Sequence, residues 1–372
     1  MNYYIFLSQN FRTIDNKIFS EIINANSIIV IFIKLENNYL RKNTIVKEAW
    51  NILANELIEI GIDCYEFEGM NQELKELIDI IKKGDNNVIL EDTPTLLFPL
   101  ITKEYKLCKP FFTYQLKNNK VSTIDSESFF KEKYNLNKID CQYSQLKLYK
   151  KKTELGYQSK IINHIWNQIL NSNIILNYAE KRDFLEAEHT TNLSRYINSG
   201  QISVRQIWIE TINLHGINNP GVLKFLSELA WRDFAYHQFQ YHPNMFWENL
   251  NPSPTIIYKN NEKDFDNWKQ SKTGFPIIDA GMNQLNKTGW IPNRIRMLVA
   301  SYLTKNLSVS WQQGAEYFLE QLIDADPIIN ALNWQWVAGT GIDHMPYFRI
   351  FNPTLQAKKY DSDGIYQKKW II

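Results

Sequence analysis

The chain has 372 residues, room for two domains, and its 44% hydrophobic content supplies ordered cores. Forty acidic residues nearly balance 41 basic ones, and the net charge of +1 excludes a globally basic nucleic-acid binder, confining any such surface to a local patch. Cys64, Cys108 and Cys141 form no C-x-x-C pair, which excludes a disulfide framework or a zinc knuckle, and no basic leader or run of about 18 apolar residues marks export or a helical span. The expectation is a soluble, cytoplasmic protein with reduced thiols, bound to no membrane and to no metal.

Residues 3–7 (YYIFL) and 27–33 (SIIVIFI) are short β-branched apolar runs of the kind buried on both faces of a parallel sheet. Helical periodicity follows over Glu48 to Ile60, where Trp50, Leu53, Leu57 and Ile60 share a face, and over Gln72 to Lys83, stopped by Gly84. Further strands at Cys64 to Phe67 and Val88 to Glu91 complete a strand and helix alternation, which predicts a doubly wound parallel α/β sheet. Neither G-x-G-x-x-G nor G-x-x-x-x-G-K-[ST] occurs in this half, so dinucleotide and triphosphate sites of those kinds are disfavoured.

The Lys-rich stretch 118–160, with LKLYKKKTELG, reads as a solvated connection. Beyond it helical character is almost continuous. The expected organisation is an α/β domain over 1–117, a linker over 118–160 and an all-α domain over 161–372.

Chemistry-bearing residues concentrate in the helical half. Thr190, Thr191 and Ser194 cluster just before Ser203, a predicted N-cap for a helix through Trp208, and clustered hydroxyls with helix N-termini bind phosphate without a Gly-rich loop. Glu228, Trp231 and Arg232 lie on one side of a helix by spacing. Pro292 suits the first turn of a helix running to about Leu307, on which Asn293, Arg296, Met297 and Ala300 share a face. A buried arginine there needs a carboxylate, and Asp324 or Asp326 can supply it. With Trp290, Trp311, Trp334 and Trp336 nearby, the mixture suits a large planar guest, against the plainer reading of a structural ion pair among core aromatics.

The runs NRIRM, DADPIINALNWQW and PYFRIFNP resemble the flavin-binding domain of the photolyase and cryptochrome family. The likeness extends through ELAWRDF, TGFPIIDAGMNQLNKTGW and, more weakly, Thr190 to Trp208, covering about Tyr178 to Trp370, and is most like class I cyclobutane pyrimidine dimer photolyases. It implies an FAD site in which Tyr178 packs near the cofactor and Thr190, Thr191, Leu193 and Ser194 hold the diphosphate. Arg232, Asn293, Arg296, Asp324, Asp326 and Asn330 are the other implied FAD residues, Arg296 pairing with Asp324. Asn330 faces the redox-active ring nitrogen, and a neutral amide there, unlike the aspartate of plant cryptochromes or the cysteine of insect ones, fits a cofactor used reduced. His189 and Asn192 depart from the family's usual glycine and arginine, and IINALNW from its small, glycine-containing turn. Phe11 to Phe19 is similar to the first loop and helix of the family's amino-terminal domain, where no antenna chromophore residues are identified.

On the substrate side the resemblance implies damaged DNA bound by a monomer. A flipped pyrimidine dimer lies between Trp231 and Trp336, Glu228 hydrogen-bonds a base, Met297 lines the pocket, and Arg294 and Arg349 contact the DNA backbone. An acid such as Glu228 in a partly desolvated pocket is expected to be shifted toward its neutral form. Relatives that repair (6-4) photoproducts carry histidines where Pro292 and Met297 stand, so cyclobutane dimers are the expected substrate. Trp334 and Trp311 match two members of an electron relay and Tyr258 the third, with Trp247 as the alternative terminus. The implied activity is light-driven electron transfer from reduced FAD to the dimer. The alternatives are a cryptochrome-like photoreceptor, which the ending at Ile372 disfavours for want of an extended tail, and a fold remnant without FAD.

Overall fold

The computed structural model describes residues 2–7, 11, 16, 18–19, 22, 25, 27–35, 40–69, 71–84, 86–91, 96, 103–118, 121, 146–148, 158–185, 189–251, 258–259, 261–343 and 349–371. Cys141, most of 11–19 and most of 118–160 lie outside these residues. The chain forms two compact units. The first takes Met1–Leu96, Val121–Gln168 and Leu193–Glu210, the second Leu97–Lys120, Ile169–Asn192 and Thr211–Ile372.

In chain order the first half contributes β1 (Asn2–Leu7), β2 (Ser27–Leu35), α1 (Leu40–Glu59), β3 (Asp63–Gly69), α2 (Asn71–Lys83), β4 (Asn87–Glu91), α3 (Cys108–Asn118), β5 (Leu146–Leu148) and α4 (Gln158–Leu170). The sheet order is β4-β1-β2-β3-β5, all parallel except β5, which runs antiparallel on β3 with Leu146 opposite Phe67. Period-two alternation assigns Ile5, Leu7, Val30 and Phe32 to one face, against Trp50, Leu53 and Leu57 of α1. Tyr4, Phe6, Ile29, Ile31 and Ile33 take the other, against Leu74, Leu77 and Ile81 of α2. Covering both faces is why these strands read as unbroken apolar runs.

Three boundaries differ from expectation. Helix α1 starts eight residues before Glu48; in that stretch Lys42, Asn43 and Val46 are half-buried and Thr44, Lys47 and Glu48 exposed, so the described side chains carry no apolar period. Strand β5 lies inside the expected linker; L-K-L is too short to register as alternation and forms only as an edge. Helix α3 belongs to the second unit, where Phe111 is buried against Phe234 (5.7 Å between centroids) and His237 (4.9 Å). In α4 the buried Trp166 donates from Nε1 to Glu210 (2.5 Å), which also accepts from Gln206.

The helical run continues with α5 (Tyr178–Lys181), α6 (Ser194–Asn198), α7 (Val204–His215), α8 (Pro220–Tyr241), α9 (Glu262–Lys269), α10 (Pro276–Thr288), α11 (Asn293–Ser301), α12 (Trp311–Gln321), α13 (Pro327–Ala338), α14 (Pro353–Tyr360) and α15 (Ile365–Trp370). Ser203 accepts from the Arg205 N–H at 3.1 Å, the predicted cap, and α7 continues past Trp208 to His215. Asn219, Ser310, Asp326 and Asn352 cap α8, α12, α13 and α14 with their side chains, and proline opens α8, α13 and α14. These devices stop and restart the chain sharply, and α9 to α15 share a core that includes Trp268, Ile295, Val299, Leu303, Trp311, Phe318 and Trp334.

Helix α11 departs most from its sequence reading. Pro292 is the residue before the helix (φ −58°, ψ 149°), not part of its first turn, and after Ser301 the chain widens into a π-turn over Tyr302–Asn306. Thr304 donates its hydroxyl to the Ala300 carbonyl (2.8 Å), Leu307 N–H reaches Tyr302 (3.1 Å), and Ser308 turns away at φ 57°.

Candidate functional site

In the second unit α8, α11, α12 and α13 bring polar side chains onto an aromatic core. Arg296 donates through Nη2 to both oxygens of Asp324 (2.8 and 3.1 Å) and through Nε to the Ile291 carbonyl (3.0 Å). The Asp324 side chain is 3% exposed and that of Arg296 26%, so the carboxylate is enclosed and the guanidinium faces partly outward. Asp326 accepts from Ile329 N–H with one oxygen and from the Tyr236 hydroxyl (2.7 Å) with the other. Burial, then the Asp326 charge, pushes the Tyr236 pKa far up, so the phenol stays a donor. Asn330 gives its amide N–H to the Ala315 carbonyl (2.9 Å), and among the described residues its carbonyl oxygen takes no donor. Asn293 lies over Met297, 3.5 Å from Nδ2 to sulfur. The face read from spacing thus exists as far as Met297, while Ala300 is buried.

A second polar cluster surrounds Glu228. Its Oε1 pairs with Arg182 and with Lys224 (2.7 Å), so the expected partly desolvated pocket, where the Glu228 side chain is 27% exposed, also holds an ion-pair network. Arg182 packs over the Tyr178 ring (5.2 Å), whose own edge-to-face partner is Phe225 (5.4 Å). Burial pushes the Tyr178 pKa up to about 12. Arg294, expected at a DNA backbone, faces inward: its side chain is 13% exposed, pairs with Asp183 and lies over Tyr360 at 4.4 Å. Arg232 is close to Asp233 (3.5 Å) and over Tyr236 (5.4 Å), on the side of Asp326.

Trp334 meets Phe318 (5.0 Å) and Trp268 (6.4 Å) edge-on, and Trp268 touches Tyr317 (5.7 Å). Trp311 donates to the Asn249 side chain (2.8 Å) within the same core, without ring contact to Trp334. Tyr258 is half-buried against that core, while Trp247 is 63% exposed, and residues 252–257 lie outside the described chain. Trp231 packs edge-on against Phe234 (5.6 Å) and Trp336 against the Trp334 core; among the described residues the two share no ring contact. Arg349 is exposed, and its carbonyl accepts from Lys305 (2.8 Å), whose pKa burial and then Arg349 lower to about 8.

Thr190 donates its hydroxyl to the Asn192 side chain (3.3 Å), and Asn192 sits at φ 52°, a left-handed position asparagine tolerates. Leu193 is buried and Ser194 starts α6 exposed. Sequence reasoning missed Arg182, Asp183, Tyr236, Trp268 and Tyr360. Only Arg182 and Asp183 left a trace, as an adjacent R-D pair in YAEKRDF; the others make their contacts with residues far away in the chain.

Residues 225–372 match the FAD binding domain of DNA photolyase. A deoxyribodipyrimidine photo-lyase of Agrobacterium fabrum is 43% identical over 196 residues, 52% of this chain and 41% of that protein. The Escherichia coli protein of the same name is 39% identical over 198 residues, 52% of this chain and 42% of its own. The chain spans about two fifths of the length of these curated relatives. Among solved structures, a class III photolyase from Agrobacterium tumefaciens superposes with a TM-score of 0.84 at 25% identity, covering 99% of this chain and 86% of its own. A Synechocystis cryptochrome gives 0.82 at 21%, covering 99% and 88%, a likeness of fold. The Arg296 to Asp324 pair and the helix-capping Asp326 fall inside the matched stretch 225–372, so the helical part of the chain is similar to the flavin-binding domain of photolyases.

Proposed function

We propose that the protein repairs cyclobutane pyrimidine dimers in DNA by light-driven electron transfer from reduced FAD. The observation that carries this is the half-buried pair in which one Arg296 nitrogen meets both oxygens of Asp324, inside a stretch that matches an FAD-binding domain. The donor set fits a flavin ring: a fixed guanidinium, an enclosed carboxylate and an amide oxygen on Asn330 that takes no donor among the described residues. That oxygen is what the N–H of a reduced ring nitrogen requires. FAD, when bound, supplies the photoexcited electron and takes it back, so the reaction has no net redox change.

The chain's part is binding and orientation. Arg296, Asp324, Asp326, Asn293, Arg232 and Asn330 would hold the ring, and Tyr178 would pack near the cofactor. The run from Thr190 to Ser194 is the proposed diphosphate seat, on the family pattern. Glu228, Trp231, Met297 and Trp336 would meet the dimer, an assignment carried by the resemblance and by Glu228 and Trp231 sharing α8. Exposed Arg349 would take a backbone phosphate. The enclosed carboxylate of Asp324, 3% exposed, would meet the ring away from water, which would strengthen the polar contact made there.

The test is repair of a defined cyclobutane thymine dimer in an oligonucleotide by flavin-loaded protein, in light and in the dark. Light-dependent restoration is expected for this lesion and none for a (6-4) photoproduct, since Pro292 has no titratable proton and Met297 only a thioether. Flavin photochemistry without repair of either lesion would instead favour a photoreceptor.

A further inference from the structure

Five side chains of the second unit alternate in charge: Arg294, Asp183, Arg182, Glu228 and Lys224. Asp183 pairs with Arg294 and stands 3.8 Å from Nε of Arg182, while Arg182 pairs with Glu228. The Arg294 end is anchored: its guanidinium lies over the Tyr360 ring, the Tyr360 carbonyl accepts from Leu185 N–H (2.9 Å), and Phe184 packs edge-on against the same ring (6.0 Å). Asp183 therefore sits on a short segment whose next two residues are fastened to the end of α14. Arg182 is only 9% exposed; burial disfavours its charge, yet Glu228, Tyr178 and Asp183 more than offset this and its pKa is raised. A buried guanidinium between two carboxylates has little freedom to turn, because losing either leaves charge poorly compensated.

From this geometry we propose that Asp183 is a positioning residue for Glu228: it holds Arg182 in line from behind, so that Glu228 keeps the orientation in which it meets a pyrimidine base. The inference rests on Glu228 being substrate-facing. Asp183 and Glu228 share no hydrogen bond, and their direct like-charge repulsion would make the double loss exceed the sum of the single ones, so a shortfall from additivity must pass through Arg182. An anchor serving only its own loop would show none.

The experiment is a double-mutant cycle on the flavin-loaded full chain, with Asp183→Asn and Glu228→Gln read by thermal unfolding. The double variant is expected to lose clearly less melting temperature than the two single losses added, and the shortfall should vanish when Arg182 is Met in every arm. Tyr360→Phe, which keeps the ring face, should retain the coupling, and Tyr360→Leu should weaken it. If Asp183→Asn fails to fold, Asp183→Glu takes its place in the cycle. Strictly additive losses overturn the proposal. In repair, Asp183→Asn should keep the dark affinity for dimer-containing duplex while dimers restored per absorbed photon fall severalfold; an undiminished yield also overturns it. Coupling in a wild type that repairs no dimer would remove the functional reading and leave the positioning of Glu228 standing. Additivity in a wild type that does repair would do the reverse.

Discussion

Replacing Arg296 by alanine removes the cation that, among the described residues, pairs with Asp324, a carboxylate whose side chain is 3% exposed. Deleting one partner of a buried pair costs about 3–5 kcal/mol, because the other charge is left without compensation. The guanidinium is 26% exposed, so solvent already screens part of the attraction, and a discounted loss of about 2–3 kcal/mol follows. For a unit of this size, with roughly 2–4 °C of melting temperature per kcal/mol, the expected fall is about 4–12 °C. Arg296→Lys should fall in between, since an ammonium keeps the charge but cannot hold Asp324 and also donate to the Ile291 carbonyl as Nη2 and Nε do together. Differential scanning calorimetry gives the stability, and the ratio of visible flavin absorbance to protein absorbance after gel filtration gives cofactor retention. Both should drop together in Arg296→Ala. A melting fall below about 2 °C with full flavin content would place Arg296 among ordinary surface ion pairs and remove it from the cofactor site.

Glu228→Ala is expected to retain flavin and lose repair yield, because Glu228 lies in a separate ion network from Arg296; loss of flavin in this variant would merge the two faces. Photoreduction of oxidised flavin with external thiol should nearly vanish in Trp334→Phe and slow in Tyr258→Phe, read by transient absorption; unchanged rates in Tyr258→Phe would remove Tyr258 from the relay. A methyl group on Gly314 would come within 2.2 Å of the Trp334 ring and 2.6 Å of Leu303, both parts of the packed core, so Gly314→Ala should destabilise by at least about 1–3 kcal/mol and disturb Trp334 fluorescence. Lys305 has its folded pKa lowered to about 8 from an ordinary 10.5, so the unfolded chain binds the extra proton between those values and this group's contribution to stability rises with pH across that window. The melting difference between wild type and Lys305→Met should therefore change between pH 8 and 10.5 and be flat below pH 7.5; a constant difference throughout would contradict the assignment.

Local chemistry made part of this protein readable in advance. The unbroken apolar runs at β1 and β2 announced a sheet covered on both faces, Gly84 announced the end of α2, and Ser203 announced the start of α7. The Arg296 to Asp324 pair was legible because a half-buried arginine on a helix face has few candidate carboxylates, and two stood in the motif that follows. What stayed hidden depends on partners distant in the chain. Asp183 meets Arg294 across 111 positions and Tyr236 meets Asp326 across 90, separations on which side-chain periodicity carries no information. The same holds for Arg294, for which the resemblance implied an outward DNA contact, while the fold lays Asp183 and Tyr360 against it. The π-turn after Ser301 came from a threonine hydroxyl competing for a helix carbonyl, a choice settled only when the surrounding core fixed the turn. Sequence determined which segments could be strands, helices and caps, through spacing and backbone preference. Tertiary structure decided which charges would neutralise one another, because burial makes an unpaired charge too costly to leave.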